Sequence, residues 1–207
     1  MKILIGDDHS VVRKGLIQIL KEAFPFADIT EASDGMEMFK CALKETFAII
    51  ISDISMPNRS GIDFIKDLKE VQPKTPILIL SIHPAEQYAI RTIKAGASGY
   101  INKESAPEEL IIAVNQLLNG KKFITQDIAE ILFDFRNDNT KPLHETLSNR
   151  EFEVFKLIAS GKSSLQIAKE LSLSANTVST YKTRLLEKMN LKNISDITRY
   201  AIENKIL

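Results

Sequence analysis

Ile49-Ile50-Ile51-Ser52-Asp53-Ile54-Ser55-Met56-Pro57 is the stretch whose reading decides the fold. Ala48 to Ile51 are apolar and mostly β-branched, the pattern of a strand buried on both faces. The run ends in a carboxylate, and Pro57, Asn58, Ser60 and Gly61 then break the chain into a loop. Open α/β sheets bind ligands at the carboxyl ends of their parallel strands, which is where Asp53 falls. A single aspartate there is equally well explained as a loop cap. The flanking sequence has to separate the two.

Upstream, residues 2–6 predict a first strand ending in Asp7-Asp8-His9. Ser10 to Ala23 then carry Val12, Leu16, Ile19, Leu20 and Ala23 at helical spacing. A short strand from Ile29 to Ala32 follows, and Asp34 with Glu37 reads as a helix cap with a box-like partner. Downstream of Asp53 the pattern predicts a helix from Ser60 to Val71, broken at Gln72-Pro73, and a strand from Ile77 to Leu80 ending in Ser81-Ile82-His83-Pro84. A helix from Ala85 to Ala95 leads through Gly96-Ala97-Ser98-Gly99 to a strand ending at Tyr100-Ile101-Asn102-Lys103. Ser105 with Glu108 reads as the cap of a last helix bearing Leu110, Ile111, Val114, Leu117 and Leu118. Five strands alternating with five helices specify a doubly wound parallel α/β sheet over residues 1–122. Its carboxyl edge then collects Asp7, Asp8, Asp53, Ser81 and Lys103.

Carboxylates converging at one edge repel each other unless a cation is present, and hard oxygen ligands with room for water suit Mg²⁺. Asp53 is then a candidate nucleophile forming an aspartyl phosphate, with Lys103 pairing the phosphoryl oxygens and the Ser81 hydroxyl donating to them.

Residues 123–144 read as a linker. Within it, 127–136 fit one amphipathic helix and Asn137-Asp138-Asn139-Thr140-Lys141-Pro142 is a polar connector. Residues 145–207 are helical in period throughout and predict a small all-α, four-helix domain. Ser148 and Glu151 form a capping box, Gly161 ends that helix, and Ser163 with Gln166 starts a short one. Ser174 caps a third helix reaching about Met189, and a fourth spans Ile194 to Glu203. A short helix, a tight turn and a longer helix make a helix-turn-helix.

In the third helix Val178, Tyr181, Leu185 and Met189 mark the core face. Asn176, Ser179, Thr180 and Thr183 fall opposite and suit base edges of double-stranded DNA. Lys182, Arg184 and Lys188 suit its phosphates, and Ser163 and Ser164 are candidates for further phosphate contacts.

The 207-residue chain carries 27 basic and 27 acidic residues, which hides an asymmetry: residues 145–207 hold 10 Lys/Arg against 7 Asp/Glu, the only net basic segment. That bias alone is too small to argue for nucleic acid. The single Cys41 can build neither a disulfide framework nor a cysteine metal site within one chain. No apolar run approaches the roughly 20 residues needed to span a bilayer, and the early Asp7 and Asp8 are unlike a signal peptide. A cytoplasmic protein with no membrane partner is expected.

Asp7-Asp8, Asp53-Ile-Ser-Met-Pro-Asn-Arg-Ser-Gly61, Ser81 and Gly99-Tyr-Ile-Asn-Lys103 resemble a two-component receiver domain of flavodoxin-like fold. Leu147-Ser-Asn-Arg-Glu-Phe-Glu-Val154, Ile167-Ala-Lys-Glu-Leu171 and Asn176-Thr-Val-Ser-Thr-Tyr181 are similar to the tetrahelical DNA-binding domain of the LuxR/FixJ type, the NarL subfamily. The resemblance implies a transcriptional response regulator. A sensor histidine kinase would phosphorylate Asp53, and Mg²⁺ would be held by Asp8, Asp53 and the Ser55 backbone carbonyl, with Asp7 completing the pocket. Ser81 would then move toward the phosphoryl group and Tyr100 would rotate inward. The helix Ser195 to Glu203 and the receiver surface near Tyr100 would form homodimer contacts, and no multi-turnover reaction is implied. One position departs from the receiver pattern: the residue after Ser81 is often small, whereas Ile82 is bulky and predicts slowed phosphoryl access. Two other readings stand beside this one. A haloacid-dehalogenase-like phosphohydrolase would need Asp-x-Asp after the first strand, which Asp7-Asp8-His9 lacks. An interaction module that no longer takes phosphate would not need the Asp53, Ser81 and Lys103 set.

Overall fold

The computed structural model describes residues 1–58, 61–83, 85–130 and 142–207, with residues 86 and 87 as backbone. The chain divides into two compact units, residues 1–134 and 135–207. Among the described residues no helix is long and apolar enough to cross a membrane.

The first unit alternates β1 (Lys2–Gly6), α1 (Ser10–Ala23), β2 (Asp28–Ala32), α2 (Gly35–Lys44), β3 (Ile49–Asp53), α3 (Ile62–Val71), β4 (Ile77–Ser81), α4 (Ala85–Ala95), β5 (Gly99–Asn102) and α5 (Ala106–Leu118). All strands are parallel, in the order β2-β1-β3-β4-β5. The order reverses between β1 and β3, so their carboxyl ends flank the crevice where doubly wound sheets bind ligands.

The core follows the two-residue period of the strands. Ile3, Ile5, Ile49, Ile51, Leu78 and Leu80 join Leu16 and Leu20 of α1 and Leu110, Ala113 and Val114 of α5 in one cluster. Leu4, Ile50, Ile79 and Tyr100 alternate with them and are also fully buried, on the face where α2, α3 and α4 pack in succession. Burial on both faces is why these strands read as unbroken apolar runs, each Ile or Leu contributing about 1.5–3 kcal/mol. Gly6 ends β1 without a side chain because a Cβ there would lie 2.7 Å from Met38 Sδ and 3.1 Å from Met56 Sδ.

Several helix starts differ from the sequence reading. Asp34 caps α2 by accepting from Glu37 N at 2.8 Å, but Glu37 returns its bonds to Ser33 N and Oγ rather than to Asp34. α3 begins at Ile62 behind Gly61, whose φ of 83° suits glycine. The expected start at Ser60 lies outside the described residues. Ser105 precedes α5 without the expected side-chain cap: its φ/ψ of −94°/0° is not extended, and its hydroxyl donates to Asn102 O instead.

The expected linker is partly integrated. Phe123 bridges Gly99, donates its N–H to Ser98 O at 3.0 Å and is buried, and Ile128 is buried too. Residues 126–130 are helical; the remainder of the expected 127–136 helix and residues 137–141 of the connector lie outside the described residues.

The second unit opens with a 3₁₀ turn (Leu143–Thr146) and contains α6 (Asn149–Ala159), α7 (Ser164–Glu170), α8 (Ala175–Lys188) and α9 (Ile194–Glu203). Ser148/Glu151 and Ser163/Gln166 form complete capping boxes, and Ser174 and Asn193 cap the last two helices. Between α7 and α8 the chain turns at Ser172, φ 54°, and Leu173 N bonds Ala168 O. Phe152, Phe155, Ile167, Val178, Leu185, Met189, Ile197 and Ala201 form its core.

Candidate functional site

The strand register sets Gly6 beside Ser52, Asp53 beside Leu80, and Ser81 beside Asn102. Each next residue therefore emerges at the same edge, and the side chains meet there. Lys103 Nζ lies 2.7 Å from Asp7 Oδ2 and 2.7 Å from Asp53 Oδ2. All three side chains are nearly or fully buried, at 10 %, 0 % and 4 % exposure. Burial opposes the Lys103 ammonium, but the two carboxylates outweigh it and hold its pKa above the ordinary lysine value. Burial pushes the Asp53 carboxyl up, against the Lys103 ion pair and the Ser55 N–H, and the Asp7 charge adds to the rise.

Ser55 N donates to Asp53 Oδ1 at 3.1 Å, tying the loop after β3 to the carboxylate. Asp7 Oδ1 accepts from His9 N, and Arg13 Nη1 donates to the Asp7 carbonyl, anchoring α1 to the end of β1. Asp8 is partly exposed and carries the His9 Nδ1 at 2.8 Å. Ligand atoms of Asp7, Asp8, His9 and Asp53 lie within 4.8 Å of one another. Among the described residues Asp7 Oδ2 has the Lys103 ammonium beside it but no directed hydrogen bond. Three clustered carboxylates, two of them sharing one ammonium, with an incompletely satisfied buried oxygen, fit a hard divalent cation bound by oxygen.

Ser81 Oγ accepts from His83 N at 2.9 Å, and Tyr100 OH donates to the His83 carbonyl at 2.6 Å. Tyr100 is 1 % exposed; expected to rotate inward, it is already inside, within β5 beside Ile79. The His83 ring stacks on Tyr88 and lies 3.4 Å from Ser55 Oγ, a junction between the loops after β3 and β4 that sequence spacing did not reveal. Ile82 is 69 % exposed, so its bulk is not packed into the acidic pocket.

On α8 the expected faces are largely found. Val178 and Leu185 are buried, as is Met189 just past the helix, while Asn176, Ser179, Thr180, Thr183 and Arg184 are exposed. Thr180 and Thr183 donate to the carbonyls of Asn176 and Ser179, leaving their oxygens free to accept. Lys182 is half-buried. Two assignments shift. Tyr181, read as core, is only half-buried and lines a shallow concavity of about 340 Å³ with Asn176, Thr177, Thr180 and Arg184. Lys188, read as a phosphate contact, donates to Glu151 Oε2 at 2.7 Å. That same oxygen takes Ser148 N and Oγ at 2.8 and 2.9 Å, so one buried glutamate caps α6 and ties α8 to it. Burial works against ionising Glu151, but Lys188 and Ser148 outweigh it and keep the carboxyl below its ordinary value.

The family described as response regulator receiver domain matches residues 3–115, and the family of bacterial regulatory proteins, luxR family, matches residues 145–201. The oxygen regulatory protein NreC of Staphylococcus epidermidis is 35 % identical over 216 aligned residues, covering 100 % of this chain and 99 % of that protein. NreC of Staphylococcus carnosus is 35 % identical over 215, with the same coverage. Among solved structures, RcsB from Salmonella enterica serovar Typhimurium, bound to promoter rprA with phosphomimetic BeF3⁻, superposes with TM-score 0.68 at 25 % identity, covering 97 % of this chain and 98 % of that one. An RcsB–DNA complex gives TM-score 0.61 at 27 % identity, covering 97 % and 96 %.

Proposed function

This chain belongs to the two-component response regulators, a receiver domain followed by a DNA-binding domain of the LuxR family, and from that premise we propose that phosphorylation of Asp53 controls its binding to promoter DNA. The observation that carries the reading is Lys103 Nζ placed 2.7 Å from both Asp7 and Asp53 at the β1/β3 crevice. A carboxylate oxygen of Asp53 attacks the phosphorus of a phosphohistidine on a sensor kinase as the P–N bond breaks. The Lys103 ammonium then pairs with the incoming phosphoryl oxygens. Asp8, Asp53 and the Ser55 carbonyl would hold Mg²⁺, with Asp7 supporting, and the bound ion would offset phosphoryl charge. Ser81 gives up the His83 N–H it accepts and donates its hydroxyl to the phosphoryl group, loosening the segment after β4, which then keeps only the Tyr100–His83 bond of this pair.

Asn176, Ser179, Thr180 and Thr183 of α8 reach base edges in the major groove, with Lys182 and Arg184 on phosphates. Lys188, already committed to Glu151, keeps a secondary place among the phosphate contacts. Ser163 and Ser164 at the start of α7 add contacts at the groove margin. A reading helix this short on a weakly basic unit favours two copies on half-sites about one helical turn apart, and α9 is the proposed C-terminal homodimer contact. The protein acts in the cytoplasm, and the receiver catalyses its own phosphorylation rather than a multi-turnover reaction.

The test is incubation with Mg²⁺ and acetyl phosphate followed by intact mass. One added phosphoryl group is expected, absent in Asp53→Asn. An unmodified wild-type chain would favour the phosphate-independent interaction module, and undiminished labelling of Asp53→Asn would refute the acceptor assignment.

A further inference from the structure

We propose that the Tyr181 phenol is a neutral phosphate anchor at the edge of the DNA-reading surface, an assignment that rests on α8 as the reading helix. Sequence periodicity places Tyr181 on the apolar stripe with Val178 and Leu185, yet those two are fully buried and Tyr181 is not. It is half-buried beside those core residues on the helix and shares an open concavity with Asn176, Thr177, Thr180 and Arg184. No lining residue is acidic. An aromatic body on the core with its polar tip in solvent is how tyrosine serves interfaces.

The chemistry of the concavity points to an anion. Thr180 Oγ1 already donates to Asn176 O at 3.0 Å, and Thr177 Oγ1 pairs with Ser174 Oγ at 2.8 Å. Besides Thr177, whose bond to Ser174 runs in either direction, the donors are the phenol, the Arg184 guanidinium and the Asn176 amide, and among the described residues none of these three side chains has a hydrogen-bond or ion-pair partner. Position on the helix selects the phosphate over a base. Asn176, Thr180 and Thr183 run at i, i+4 and i+7 along the outward face, whereas Thr177, Tyr181 and Arg184 run beside them on the flank nearer the core. When the outward face enters a groove, a flank meets its wall, and the wall is sugar and phosphate.

A hydroxyl donating to phosphate differs measurably from a lysine or arginine doing so. It adds affinity without sequence information, and it displaces no counterion because it adds no charge. Tyr181→Phe removes the hydroxyl and keeps the packed ring. The experiment uses the full chain treated with Mg²⁺ and acetyl phosphate, a duplex selected by it from a random pool, and a scrambled duplex. Anisotropy across a salt series is expected to show both duplexes weakened alike by Tyr181→Phe, roughly three- to tenfold for one hydrogen bond, with the salt slope unchanged. Arg184→Gln in parallel is expected to lower the slope by about one. Wild-type affinity in Tyr181→Phe, a loss confined to the selected duplex, or a lowered melting temperature that accounts for the loss would each overturn the proposal while leaving α8 as the reading helix. Failure of the wild-type chain to bind any duplex would overturn both.

Discussion

The acidic pocket of the receiver and the outward face of α8 are built on opposite principles. Asp7, Asp53 and Lys103 are ionisable, buried and mutually paired. Asn176, Ser179, Thr180, Thr183 and Arg184 are mostly neutral and exposed, and among the described residues they bond at most to their own helix. A site that stabilises charge during a reaction works best where water is excluded and the partners are fixed beforehand. A surface that must meet another macromolecule has to leave its donors and acceptors uncommitted until the partner desolvates them. The same contrast places the fragile residues. In the receiver they are charges that cannot lose a partner; on α8 they are contacts that do nothing for folding.

The largest effect expected from this contrast is at Lys103. Lys103→Ala leaves two buried carboxylates without their cation and should cost the receiver roughly 3–5 kcal/mol in urea unfolding at neutral pH. Part of the loss should return when Mg²⁺ is added, because the ion replaces the missing charge. A cost below about 1 kcal/mol would mean that the pocket is wetter than its burial indicates.

Glu151→Ala comes next, at roughly 2–4 kcal/mol in the second unit, from a lost cap and a buried charge-assisted bond. The pH dependence has a definite sign. The folded carboxyl titrates below its ordinary value, so the contribution of Glu151 is complete above about pH 4.3 and fades as the pH falls through the lower folded value. Thermal melts of wild type and Glu151→Ala should therefore converge only in acid; convergence near neutrality would separate Glu151 from the Lys188 tie.

On the outward face the effects move from stability to recognition. Thr183→Ala should change unfolding by no more than about 0.5 kcal/mol yet cost roughly 1–3 kcal/mol on the preferred duplex. Lys182→Ala should weaken all duplexes and lower the salt slope by about one. Equal weakening of both duplexes by Thr183→Ala, with Lys182→Ala affecting only the preferred one, would reverse the faces.

The smallest effect sharpens the comparison through its sign. Asp53 titrates above the ordinary aspartate value, so its ionised form opposes folding at neutral pH. Asp53→Asn should raise the urea midpoint of the receiver while abolishing phosphorylation, the reverse of Lys103→Ala. The advantage should shrink as acid protonates Asp53 in the wild type.

Much of both units was legible in the chain because the signals are local. An apolar run ending in an acid fixed β3 and its carboxyl end, and the β-α alternation set the other strand ends at the same edge. Asp7, Asp53, Ser81 and Lys103 are therefore placed together by the chain alone. The capping boxes at Ser148 and Ser163 were equally local, three residues each.

Contacts between distant positions were decided only by the tertiary structure. Lys188 and Glu151 are 37 residues apart, and only the packing of α8 on α6 joins them. Phe123 follows the last helix of the sheet and reads as linker, yet the residue before β5 offers it Ser98 O, and it takes a place in the core. Ser105 had the right residue type for a cap but not the extended backbone that a cap requires. Tyr181 had the spacing of a core residue, and periodicity cannot tell how far the other helices of its own domain cover a helix flank. Local pattern determined which residues sit on which strand end and helix face, since that depends on 2.0- and 3.6-residue repeats alone. Pairing, residual exposure and the balance of burial against charge depend on what packs opposite, and that was fixed only when the chain closed on itself.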